Sequence, residues 1–342
     1  MPRHKIAFTL CLGLAVMLVS SLALAQYQVT NLDSNQAKTA KFMDPMQVNG
    51  WGLAYGPGGP FWVSDQGSGW STLYNGAGVK QGLEVLIPSA SGAGAGQPTG
   101  IVFSNSASGD FQVQGWPSIF LFATLDGTIS GWTPKSNPNA SIIAVNNSAA
   151  GSIFTGLAIT NHASGNLLYA ADLANNVVDV YDGNFNLVNS FTDPTLPPGN
   201  APFGIADIGG LVYVTFALTS EAPGGYIDIF QEDGTFVRQL AAGKPLDQPW
   251  GLAVAPPNFG SLSNTLLVTN NTNSGTINGF NLETGAFVGE VKDTSGKAIV
   301  IDQIWGIEFG GGSANNGKTN QLFFTAGPYN NLAGTFGVIS PK

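Results

Sequence analysis

Pro202-Phe203-Gly204-Ile205-Ala206, Leu211-Val212-Tyr213-Val214, Tyr226 to Phe230 and Phe236 to Leu240 follow one another closely, with Asp233-Gly234 between the last two. Each run is short, rich in β-branched and aromatic residues, and bounded by Gly, Asp or Asn. That pattern marks buried strands. Asp-Gly between alternating strands is a hairpin signal. The stretch therefore reads as a meander of four antiparallel strands.

Its opening motif recurs five more times. It returns as Trp51-Gly52-Leu53-Ala54, Thr99-Gly100-Ile101-Val102, Thr155-Gly156-Leu157-Ala158, Trp250-Gly251-Leu252-Ala253 and Trp305-Gly306-Ile307-Glu308. Successive motif glycines are 48, 56, 48, 47 and 55 residues apart, close to the period of propeller blades. A second apolar run follows every copy, from Phe61 to Ser64 in the first to Leu322 to Thr325 in the last. Third runs such as Gly127 to Trp132 and Gly275 to Phe280 lead through turns such as Glu283-Thr284-Gly285 into a fourth. No long amphipathic helical pattern interrupts the series. The chain is thus predicted to be all-β, a six-bladed β-propeller of four-stranded antiparallel blades.

The sixth unit runs out after Gly334 to Ile339. Tyr27 to Leu32 can supply its missing strand, which would close the ring and leave no open edge. The longer spacings place insertions at 104–118, 256–264 and 310–320, and their Gly, Ser and Asn content reads as solvated loop.

Ahead of the repeats, Arg3, His4 and Lys5 precede an apolar run from Ile6 to Leu24, and Ala23-Leu24-Ala25 supplies small residues before Gln26. This reads as a secretory signal peptide over 1–25, cleaved near Ala25, followed by one domain over 26–342. The expected location is secreted or periplasmic, with no membrane span after cleavage. Cleavage removes Cys11, the only cysteine, and leaves His162 as the only histidine. Disulfides within one chain, cysteine nucleophiles and thiolate or His-rich metal sites are then excluded. The remaining 10 basic residues against 21 acidic ones give no footprint for nucleic acid. The charged fraction of 10% implies a surface solvated by neutral polar groups.

Strand direction locates a candidate site. In each blade the second strand returns antiparallel to the first, so its end shares a face with the start of the first. Trp51, Thr99, Thr155, Phe203, Trp250 and Trp305 should therefore ring the mouth of the central channel, with Asp65, Asp126, Asp172 and Asn270 outside them. Indole faces can stack on sugars or other flat groups while Asp and Asn supply directed hydrogen bonds. The structural account competes with this: aromatics pack between blades and Asp residues bond nearby turn N–H groups. Three Trp at equivalent positions near one axis are the feature that the structural account leaves over. A rim calcium at Asp65, Asp126 and Asp172 is the one cofactor that these residues leave open. His162 reads as a loop residue.

At Pro202-Phe203-Gly204-Ile205-Ala206 with Val212-Tyr213-Val214, and at Gly156-Leu157-Ala158 with Tyr169-Ala170-Ala171-Asp172, the chain resembles the NHL-type six-bladed propellers. Over nearly the whole length after residue 25 it resembles an uncharacterised family of exported bacterial propellers. Some members of that family end in a PEP-type sorting signal, and Ser340-Pro341-Lys342 does not match one. The resemblance implies fold and carries little about activity. Three functions compete. The first is an exported, non-catalytic scaffold that binds a small molecule, glycan or protein at the channel mouth. The second is a metal-dependent lactonase or hydrolase like the gluconolactonase relatives of this fold. The resemblance would then place several oxygen ligands directly before the motif glycines, where this chain has two threonines and four aromatics. The third, a pyrroloquinoline-quinone or sugar dehydrogenase, would need cationic and metal-binding side chains in the channel, and no Lys or Arg falls in a repeat-strand motif except Arg238 on an outer strand.

Overall fold

Six sheets follow one another along the chain as four-stranded antiparallel blades, the sixth extended by a two-residue parallel strand, Phe42–Met43, and their first strands touch in sequence, the sixth returning to the first. This computed structural model describes Met1 and residues 26–105, 109–160 and 165–342. Residues 2–25, the body of the expected signal peptide, and His162 lie outside the described residues. Among the described residues no helix is long and apolar enough to cross a membrane.

The inner strands of blades one to six are Gly50–Ala54, Pro98–Phe103, Phe154–Ile159, Asn200–Asp207, Pro249–Val254 and Ile304–Phe309. The second strands are Phe61–Asp65, Phe120–Thr124, Leu168–Asp172, Val212–Leu218, Thr265–Asn270 and Leu322–Ala326. Third strands run over Trp70–Tyr74, Thr128–Trp132, Val177–Tyr181, Tyr226–Phe230, Ile277–Asn281 and Thr335–Pro341. The sixth blade takes its outer strand from Tyr27–Ser34, which pairs antiparallel with Thr335–Pro341 in the register Tyr27 to Pro341 and Val29 to Ile339. The ring is closed as the count of repeats predicts.

Apolar side chains alternate along these strands, so each sheet buries both faces against its neighbours. Six hydrophobic clusters lie between consecutive blades, and a seventh lies on the axis. The motif glycine permits this approach. A Cβ on Gly52 would sit 2.6 Å from the Thr99 carbonyl oxygen, and one on Gly306 would sit 2.6 Å from that of Trp51. No side chain fits there.

The insertions contribute more than solvated loop. Phe259 and Leu262 are fully buried, and the Tyr27 hydroxyl donates to the Phe259 carbonyl at 2.8 Å. Phe111 and Val113 are likewise buried in the insertion of blade two. Gly and Ser composition hid these anchors, because one or two apolar residues in a polar loop leave no periodic signal.

The middle of each third strand carries a buried polar residue in blades one to five: Thr72, Ser130, Asp179, Asp228 and Asn278. Asp228 is the extreme case. It is wholly buried, and burial, with the Asp193 carboxyl beside it, pushes its pKa up to about 7. The folded state therefore holds a proton that the unfolded chain releases near pH 4. Stability from this group is complete below pH 4, falls as pH rises, and levels off above about 7. Asn278 already fills the equivalent place in blade five. Asp228→Asn is expected to stabilise the protein at pH 8 by about 1–3 kcal/mol and to change little at pH 4, read by urea denaturation at both pH values. Equal effects at the two pH values would refute a proton held at Asp228.

Candidate functional site

Every inner strand carries a β-bulge at the motif. The pairing register with the second strand shifts between Gly50 and Leu53, Pro98 and Ile101, Phe154 and Gly156, Pro202 and Gly204, Pro249 and Leu252, and Ile304 and Ile307. A bulge re-aims one side chain out of the alternation. Each of these bulges includes the residue before the glycine. In the three Trp blades a second device precedes it. Asn49, Gln248 and Gln303, each two residues before its Trp, have φ of 48°, 51° and 50°. Left-handed backbone is uncommon outside glycine, and its repetition in these three blades marks a shared turn. The carbonyls of the three residues accept from the amides of Gln66, Asn271 and Gly327 after the second strands.

The structure brings the three indoles together on the axis. Trp51 stacks on Trp305 with ring centroids 3.5 Å apart at 18°, and Trp250 meets both edge-on at 6.0 and 5.7 Å. Phe203 closes the group, 5.7 Å from Trp305. The Trp305 indole donates to Asn49 Oδ1 at 3.0 Å and the Trp250 indole to the Thr155 carbonyl at 3.0 Å, whereas Trp51 Nε1 is buried without a partner. All three tryptophans are buried, their faces turned to one another rather than to solvent. They form a plug across the channel. Thr99 and Thr155 sit in the same ring and are also buried. Thr99 Oγ1 donates to the Phe154 carbonyl of the next blade at 2.7 Å, and Thr155 Oγ1 to the Ala171 carbonyl at 3.3 Å.

The polar residues outside the ring serve their own turns. Asp172 Oδ1 accepts from the amides of Ile153 and Asn175, and Asp126 accepts from the amides of Gln97 and Ala90. Asn270 bridges the Asp247 amide and the Pro245 carbonyl. Asp65 Oδ2 accepts from Thr72, and burial raises its pKa well above the usual carboxylate range. Asp65, Asp126 and Asp172 belong to three different blades. Among the described residues no three His, Cys, Asp or Glu side chains converge as metal ligands.

Beyond the plug, the inner strands continue around a cavity of about 410 Å³. Trp250 contributes to its wall, five of the six motif glycines follow, and Tyr55, Phe103, Asp207 and Glu308 line it at the far ends of their strands. Glu308 faces this chamber, reached by water but hemmed in by protein, and that desolvation pushes its pKa up to about 7. Burial and the nearby Glu308 raise the Tyr55 hydroxyl to about 12. The Gly210 amide donates to Asp207 Oδ1 at 3.1 Å. Sequence reasoning centred on the residue before each glycine and passed over this end. One signal was available. The fourth motif position is Ala or Val in the other five copies and Glu308 in the sixth.

Three uncharacterised proteins of Acanthamoeba polyphaga mimivirus are similar in sequence. L690 is 31% identical over 307 residues, covering 83% of this chain and 79% of that protein. R648 is 29% identical over 338 residues, covering 93% and 81%. No family model matches. Among solved structures, one of a streptogramin B lyase matches with a TM-score of 0.56 at 14% identity, covering 93% of this chain and 98% of that one. Virginiamycin B lyase from Staphylococcus aureus matches with a TM-score of 0.55 at 14% identity, covering 92% and 99%. At that identity the likeness is one of fold. The relatives in sequence are viral and lend no support to the bacterial, exported part of the resemblance drawn above.

Proposed function

The chain belongs to the family of the mimivirus protein L690, and on that premise we propose a non-catalytic scaffold that holds a small molecule in its axial chamber. The observation that carries this reading is the chamber itself. At about 410 Å³ it falls within the range of small-molecule sites, and it is concave, with apolar side chains and polar groups sharing its lining about equally. Of the ring of Trp51, Thr99, Thr155, Phe203, Trp250 and Trp305, only Trp250 is part of the chamber wall, so the ring is read as a plug below the chamber and not as an open stacking platform. An apolar segment before Gln26 supports export to the periplasm or the exterior. The lactonase alternative has less support, because it calls for several oxygen ligands around one point on the axis.

Ala206 lines the chamber and is half-buried, so Ala206→Trp fills the space from the wall. In a thermal-shift screen of small molecules, a hit should raise the melting temperature of the wild type and alter its tryptophan emission through Trp250. The same hit should do neither in Ala206→Trp. Hits that stabilise both proteins alike would place binding elsewhere and defeat this reading.

A further inference from the structure

We propose that the chamber selects an organic cation, a protonated amine carried on an aromatic or aliphatic body. This rests on the chamber being the ligand site and names what it takes. The charged side chains on its wall are Asp207 and Glu308, and no Lys, Arg or His lines it. Both ion pairs among the described residues belong to Lys80, so Glu308 has no cationic partner. The remaining walls fit the body of such a ligand. Tyr55, Phe103 and Trp250 offer aromatic surface, whose electron-rich faces attract ammonium groups. Leu53, Ile101, Leu157 and Ile307 supply aliphatic contact.

An innermost strand pairs on one side only, so its second edge turns N–H and C=O groups alike to the axis. The carbonyl oxygens can accept from an ammonium, and because the amides serve an anion equally, the sign of the preference comes from the carboxylates. A formal net charge of −9 draws cations toward the molecule as a whole. Two carboxylates on separate blades among aromatic walls do not make the oxygen cage that calcium requires.

The same geometry sets a pH dependence. Tyr55 faces Glu308 from the next blade and Asp207 shares the chamber. The raised pKa of Glu308, about 7, means that its charged form is only half populated at neutral pH. A cation binds the charged form, so affinity rises with pH through 7 and levels off above it.

Isothermal titration of the protein with phenethylammonium, 2-phenylethanol and phenylacetate at pH 8 tests the idea. Phenethylammonium should bind at least about tenfold tighter than the alcohol, phenylacetate should not bind, and Glu308→Gln should erase the preference. Repeating the amine titration at pH 6 should weaken it about tenfold in the wild type and leave Glu308→Gln unmoved. Equal binding of amine and alcohol, both lost in Ala206→Trp, would keep the chamber as a ligand site and overturn the cation preference. Calcium binding lost in Glu308→Gln, with no amine binding, would overturn it in favour of a metal. Binding of none of these probes would overturn this inference, while the chamber reading is decided separately by the thermal-shift screen with Ala206→Trp.

Discussion

Removing Tyr27 to Ser34 is expected to unfold the whole ring rather than fray its sixth blade. The strand makes the full antiparallel ladder with Thr335–Pro341, and its loss would strip that neighbour of every cross-strand hydrogen bond on one side. Its side chains reach further than the ladder. Tyr27 is buried against Phe259 with ring centroids 4.7 Å apart, and its hydroxyl bonds the backbone of the blade-five insertion. Leu32 joins the core between blades six and one. One strand therefore ties the sixth blade to both of its neighbours. Tyr27→Ala alone should cost about 3–5 kcal/mol. Tyr27→Phe, which keeps the ring and loses the hydroxyl, should cost about 1 kcal/mol. Urea denaturation of the three proteins provides the check. A truncated protein that melts with the intact one would show that the blades stand without closure.

Trp305→Ala should have the next largest effect. Trp305 touches Trp51, Trp250 and Phe203, stacks face to face with Trp51, and is the member of that stacked pair whose indole N–H is hydrogen-bonded. Its removal leaves a void on the axis where no neighbour can collapse inward, because the six blades hold one another apart. The expected loss is about 3–5 kcal/mol. Conservative variants separate packing from hydrogen bonding. Trp305→Phe loses the bond to Asn49 and should cost more than Trp51→Phe, whose indole N–H has no partner to lose. If Trp51→Phe proved the more damaging of the two, the plug would owe its stability to something other than this arrangement.

The repeat made most of this architecture legible. Six glycines at regular spacing, each between an apolar run and a special neighbour, specify the blades because only glycine fits where inner strands touch. Convergence of Trp51, Trp250 and Trp305 follows from the same symmetry. Their burial does not, since it depends on the bulges and on the left-handed turns at Asn49, Gln248 and Gln303. Asn is a familiar occupant of such turns and Gln is not, so sequence alone gave little warning at two of the three. The threonines that brace the inner ring from the second strands were equally hidden. Thr215, Thr269 and Thr325 each accept the amide of their own motif glycine, and Thr269 donates onward to the Trp305 carbonyl. A threonine inside an apolar strand reads as ordinary β-propensity. The chamber was missed for a different reason. Its polar groups come from strand ends, where repeats diverge and a single Glu308 carries no periodicity.

The seam at the sixth blade also fixes how the molecule would respond to tension. Tyr27 lies opposite Pro341, and the Lys342 amide bonds the Gln26 carbonyl at 2.8 Å, so both ends of the ladder leave from the same corner. Force applied between Gln26 and Lys342 would load the hydrogen bonds one after another, as in opening a zip, instead of shearing them together. The seam would thus be the first part of the ring to yield to a molecular motor pulling Gln26 and Lys342 apart.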